Sequence, residues 1–379
     1  MMFEQLRIRQ SRAFGSVVCA AAAVASLLLS GCNGNVVPAA HGDAPAVSAP
    51  IGAPAGIAGQ NRRQYRLDID PRYQWEHNYG YCGEVSFISA GLYYGQYISQ
   101  YDARAAATDA PQYDYRSQLL LGGTDMRAAR NMHLAAAEWD RKTERSPHDF
   151  LAWVKQNVVQ GYPVIIGIYT NDYRFYGDRK PRAGSPEYDH IVPVLDIDAR
   201  QSRDGYDPDD RIAFSDNGLL GSGPSHSRYV FTYPFGSFQR SRKQANGPNA
   251  PWYSLPNYGK NFGAVVTGVR DDDHETLPVR IVTSANDEVP QIAKHSDTRP
   301  PADPLTLTVT VSGLQPGQNY VLYRYDSLQA IPDGAFNANA SQASERWTIT
   351  GTSSGTYAVT EKIMTDDVAA YRAVPENAP

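Results

Sequence analysis

The chain has 379 residues, 42% of them hydrophobic, and a formal net charge of −5. That length allows one sizeable core and a smaller second one. With neither a basic cluster nor an interleaved basic and aromatic pattern, the sequence excludes nucleic acid as a partner.

Residues 1–32 read as a targeting segment. Arg7, Arg9 and Arg12 make a basic start, and Val17 to Leu29 make an apolar run too short to span a membrane comfortably. The run ends in LLLSGC, which resembles the lipobox of bacterial lipoproteins. The resemblance implies that Cys32 is lipidated, becomes the first residue of the mature chain and anchors it in the cell envelope. Asn33 stands where aspartate is associated with inner-membrane retention, which implies an outer-membrane address in a Gram-negative cell. Residues 33–62, rich in Ala, Pro and Gly with no hydrophobic period, form a tether. With Cys19 in the targeting segment and Cys32 assigned to lipid, Cys82 has no partner for an internal disulfide.

Residues 63–285 carry helical patterns first and strand patterns later. Cys82 opens CGEVSFISAGLYYG, where Val85, Ile88 and Leu92 mark one face of a helix and Phe87 adds a second ridge. GYPVIIGIY (161–169) is a short, continuously apolar strand. DHIVPVLDID (189–198) is a second strand, and after the polar excursion ARQSRDGYDPDD the chain re-enters as RIAFSDNG. LPVRIVT (277–283) is a further strand, and residues 286–303 are a proline-bearing linker. From Leu305 the sequence alternates strictly, giving four short strands between turn signals: LTLTVTVSGL, NYVLYRYDS, RWTITG and TYAVTEKIM. Residues 304–374 are thus a small β domain. Its phrase VSGLQPGQNYVLYRY resembles fibronectin type III domains, although the segment is short for a complete one.

Cys82 falls at a helix start, where free amides and the macrodipole favour a thiolate, the form in which cysteine is a nucleophile. The alternative is a small buried hydrophobe. A nucleophile needs a base. If the strands at 191–197 and 211–215 pair antiparallel, His190 and the pair Asp216-Asn217 fall at one end of the hairpin, with the register free by a few residues. His77, His133, His148, His226, His274 and His295 lie in poorer contexts. The run holding Asp204, Asp207, Asp209 and Asp210 lacks the ligand spacing of a calcium loop, and one cysteine cannot build a structural zinc site.

The ordered set YGYCGEVSF, GYPVIIGIY, DHIVPVLDID and FSDNG resembles papain-like cysteine peptidases, nearest in style to the bacterial peptidases that process double-glycine leaders and their secreted relatives. The resemblance covers residues 74–218. It implies an α+β fold, with a papain-like domain followed by the small β sandwich. It also implies that Cys82 is the nucleophile, His190 the general base and acid, and Asp216 or Asn217 the residue that orients it. The family's oxyanion glutamine stands about six residues before the cysteine. Here that position is Glu76, with Gln74 two residues further back and Asn78 nearer; Gln74 is the preferred donor. The implied activity is cleavage of an amide bond in a peptide or protein substrate, with no cofactor. A catalytically weak surface binding module and a transamidase or deamidase remain open.

Overall fold

The computed structural model describes residues 62–75, 80–112, 114–142, 146–170, 187–200, 205–217, 229–238, 253–256, 261–285 and 301–378. Cys32, the targeting segment and nearly all of the tether lie outside them. The fold is α+β, as the sequence leads one to expect. No helix among the described residues is long and apolar enough to cross a membrane.

The first half is built on an antiparallel sheet in the order β3 (Leu134–Glu138), β9 (Gly263–Val269), β4 (Val164–Thr170), β5 (His190–Ala199), β6 (Arg211–Asp216), β7 (Tyr229–Pro234). Two short strands join it, β1 (Arg63–Arg66) on β5 and β8 (Tyr253–Ser254) on β4. Alternation along β4 and β5 sends successive side chains to opposite faces. Ile165 and Ile191 enter one core, whereas Val164, Ile166, Val192 and Val194 enter the other. Because both faces are covered, these strands read as unbroken apolar runs rather than alternating ones.

Helix α1 (Cys82–Tyr93) fills the first core, and Gly83 through Leu92 are all buried. A helix wrapped on every side needs apolar residues all round, which is why its sequence shows more than one ridge. Helix α4 (Pro147–Val159) covers the other face with Phe150, Leu151, Val154 and Val158. It starts where Ser146 accepts the His148 amide and Pro147 fills the first turn. Between these two lie α2 (Gln100–Ala107) and α3 (Asp125–Asn131), and α5 (Phe235–Phe238) follows β7.

The C-terminal half is two small sheets. One has the order β10 (Val279–Thr283), β11 (Pro304–Ser312), β14 (Thr356–Met364). The other has the order β13 (Glu345–Thr350), β12 (Asn319–Tyr325), β15 (Ala369–Pro375), β2 (Gln96–Tyr97). Strand β15 was not among the four expected strands: AAYRAVP is almost wholly buried and so shows no alternation. Two more strands come from outside 304–374. β10 pairs along its length with β11, and β2, immediately after α1, pairs with Ala369 and Ala370. The expected boundary at 285/286 therefore does not separate the sheets, and one continuous core runs from Phe87 through Val279 and Leu307 to Tyr371.

Gly95 makes this junction. Its φ is +73°, its carbonyl accepts the Tyr371 amide at 2.8 Å, and a β-carbon there would lie 2.7 Å from the Val279 Cβ. Gly95→Ala combines a left-handed backbone penalty of about 1–2 kcal/mol with overpacking of about 1–3 kcal/mol. Urea denaturation is expected to show a loss of about 2–5 kcal/mol.

Candidate active site

Cys82 is the first residue of α1, half-buried, and follows a loop fixed from several sides. Arg104, from α2, donates through Nε to Glu84 Oε1 at 2.7 Å and through Nη2 to the Gly80 carbonyl. Its guanidinium also lies 3.5 Å from the centre of the Tyr81 ring. Glu84 is 1% exposed and Arg104 is not exposed at all. The same Glu84 oxygen accepts the Leu119 amide at 3.0 Å, so one buried ion pair holds the loop before the cysteine and the chain across from it. Gly83 is dictated by contact: a β-carbon there would lie 2.1 Å from the Leu119 carbonyl oxygen.

His190 opens β5 opposite Ile168 of β4 and is buried. Its Nε2 lies 2.7 Å from Asp216 Oδ1. The Cys82 side chain also interacts with the ring. Burial pushes the imidazole pKa down, but the adjacent Asp216 carboxylate, with Cys82, outweighs it and holds the ring up at about 10. Asp216 is itself buried, and its second oxygen accepts a hydrogen bond from the Tyr253 hydroxyl.

A bulge produces this register. Asp196 faces Ala213 and Val194 faces Phe214, so β5 carries one extra residue between them. Continued toward the strand end, that shift places Asp216 opposite Val192 instead of Pro193. Since a one-residue shift exchanges the faces of a strand, Asp216 comes onto the same face as His190.

Asn217, the rival to Asp216, does not stand on the imidazole. Its Nδ2 points to the Cys82 carbonyl at 3.2 Å, Ser86 Oγ at 3.3 Å and the Ile191 carbonyl at 3.4 Å. Its own carbonyl accepts the Gln74 amide at 2.7 Å. Asn217 therefore ties the start of α1 to the histidine strand and to the Gln74 segment.

The Gln74 side-chain nitrogen lies 3.6 Å from where a Gly80 β-carbon would stand, next to the loop before Cys82. Its side-chain oxygen is buried without a partner among the described residues. The backbone on either side of Gln74 is clamped by Gln100, which accepts the Trp75 amide at 2.9 Å and donates to the Tyr73 carbonyl at 2.8 Å. Glu76 and Asn78 lie outside the described residues.

Tyr188 belongs to the wall beside the thiol. Its hydroxyl donates to the Leu121 carbonyl at 3.0 Å, and its phenol is pushed well above the usual range by burial and then by the negative charges of Cys82 and Asp125. Asp125 is raised to about 7, chiefly by burial, with Glu138 adding to it. Of the other histidines, His133 pairs with Asp333 at 2.7 Å and His148 stacks on Tyr206, while His77, His226 and His295 lie outside the described residues. The acidic loop serves structure: Asp210 pairs with the buried Lys155 at 2.7 Å and Asp209 with Arg200 at 2.6 Å.

The chain matches no protein-family model, no curated protein and no solved structure.

Proposed function

We propose that this protein is a papain-like cysteine hydrolase that cleaves an amide bond in a peptide or protein substrate. The observation that carries the reading is the position of His190, whose ring is hydrogen-bonded to the buried Asp216 and interacts with the Cys82 side chain. A cysteine on the first turn of a buried helix, packed against an antiparallel sheet that bears the histidine and its carboxylate, is similar to the papain-like arrangement.

In this reading Cys82 gives its proton to His190, and the thiolate attacks the substrate carbonyl. The oxyanion is held by the Cys82 backbone amide and the Gln74 side-chain amide. His190 protonates the departing amine, then takes a proton from water as the acyl-enzyme is hydrolysed. Asp216 fixes the ring orientation and stabilises the imidazolium, and Tyr253 holds Asp216. The lipobox-like LLLSGC supports an anchor at Cys32 that places this chemistry at the cell envelope.

The pH profile tests the reading. His190 stands at about 10, above its ordinary 6.5, so the imidazolium persists through neutral pH and is lost as pH rises through about 10. Its contribution to folding has the same sign: complete below 6.5 and lost toward 10. The alkaline limb of kcat/KM on a peptide-amide mixture is expected near 10. Asp216→Asn keeps the shape but removes the charge, and is expected to bring that limb down toward 6.5. An alkaline limb unmoved by Asp216→Asn would contradict the assignment.

A further inference from the structure

The wall beside Cys82 continues from Tyr188 to Arg141. The Tyr188 ring rests on β4, where a β-carbon at Gly167 would lie 2.9 Å from its Cγ, and it meets the Phe262 ring edge-on at 5.0 Å between centroids. Phe262 is 5% exposed, and the Arg141 guanidinium lies 4.0 Å from the centre of its ring. Arg141 Nη2 also lies 2.6 Å from where a Gly122 β-carbon would stand. Gly122 belongs to the segment whose Leu119 carbonyl packs on Gly83, the residue after Cys82. Three residues separate Leu119 from Gly122, a span of at most about 11 Å. Arg141 is therefore within reach of substrate residues close to the scissile bond.

The stem of Arg141 is fixed by the backbone around it. The Trp139 amide donates to the Gly263 carbonyl at 2.9 Å, next to Phe262, and the Arg141 amide donates to the Trp139 carbonyl at 3.0 Å. The head is uncommitted: among the described residues the half-buried Arg141 side chain forms no ion pair and donates no hydrogen bond. Nearby carboxylates point elsewhere. Asp125 Oδ2 accepts the Gly122 amide at 3.0 Å, Glu138 interacts with Asp125, and Asp140 Oδ1 accepts the Lys142 amide at 2.8 Å. Stacking on Phe262 uses one face of the guanidinium and leaves its edge of N–H donors for another partner. That edge matches a carboxylate, which it can hold through two parallel hydrogen bonds.

We propose, resting on the hydrolase reading of Cys82, that Arg141 is a specificity-determining residue that receives a carboxylate of the substrate close to the scissile bond. The substrate class is an acidic peptide. Its carboxylate comes from an aspartate or glutamate side chain or from the C-terminus, two sources with one chemistry. The half-buried Tyr188 gives the carbon stem of that residue an apolar surface between the thiol and the guanidinium.

Peptide binding to a Cys82→Ala form of the full chain in detergent tests this without the chemistry. The probes are N-capped peptides randomised on both sides of a central amide, in C-terminal amide and free-acid forms. Retained peptides are identified by mass spectrometry and remade with the carboxylate replaced by its amide. Peptides with an acidic residue at one position near the central amide, or with a free C-terminus, are expected to be retained, and the two forms tell the sources apart. The neutral analogue is expected to bind about tenfold more weakly. Arg141→Gln should bring that ratio to about one, and Arg141→Glu should turn the preference to lysine. No retained peptide at millimolar concentration would overturn the proposal. So would equal binding of the acidic and neutral forms, or a preference that Arg141→Gln leaves in place. Hydrolysis by the unaltered chain is read separately: a carboxylate preference that depends on Arg141, with no peptide cleaved, would support the site and overturn the hydrolase reading.

Discussion

His190→Ala is expected to lower the hydrolysis rate by about 10²–10⁴-fold, the usual contribution of a positioned general base and acid. Two effects combine in that loss. Cys82 no longer has an acceptor for its proton, and the departing amine no longer has a donor. The fold should survive, because His190 stands at the start of β5 and not within the apolar ladder formed by Ile191, Val192 and Val194. Removing the imidazole leaves the buried Asp216 with Tyr253 as its remaining side-chain partner among those described above, so some stability is lost as well. Initial rates measured well below the melting temperature of the variant separate the two. Circular dichroism unchanged with the rate gone is the expected result.

Glu84→Ala is expected to be among the most damaging substitutions for stability in the first half. It leaves the fully buried Arg104 guanidinium without its carboxylate, and breaking a buried pair in this way costs about 3–5 kcal/mol. It also removes the acceptor of the Leu119 amide. The Gly80-Tyr81 loop, held by the same guanidinium, then loosens directly before the nucleophile, so activity falls along with stability. Urea unfolding measures the first effect. Replacing both partners with methionine is expected to restore most of the stability, since two apolar side chains carry no desolvation penalty. Activity should remain low in that double variant, because nothing then holds the Gly80 carbonyl.

The parts of this molecule that follow from local pattern were legible in the sequence. The helix after Cys82, the apolar strand at 164–170 and the alternating strands after Leu305 each announce themselves by period. What escaped depends on distant partners. The hairpin at His190 was visible, but the bulge between Val194 and Asp196 that brings Asp216 onto the ring follows from long-range pairing and leaves no local signal. Asp216 and Asn217 are adjacent polar residues at a strand end, and only that register separates their roles. Tyr253 is one of 25 tyrosines and nothing near it in sequence marks it, yet it holds Asp216. Glu84 did carry a signal: a lone carboxylate inside an apolar helix must find a buried cation, and Arg104 in QYDARAAA was available. The short strand at Gln96–Tyr97 is two residues long and becomes a strand only because β15 lies beside it.

Cys82 and His190 are proposed to act as a functional pair. The decisive measurement is the rate of Cys82 alkylation by iodoacetamide as a function of pH, in the unaltered chain and in His190→Ala. Fast alkylation is expected at neutral pH in the unaltered chain and, in His190→Ala, a rate that rises only as the pH approaches the ordinary thiol value of about 8.5. Slow alkylation with the same pH dependence in both proteins would show that the two side chains do not act together and mark Cys82 as an inert thiol at a helix end.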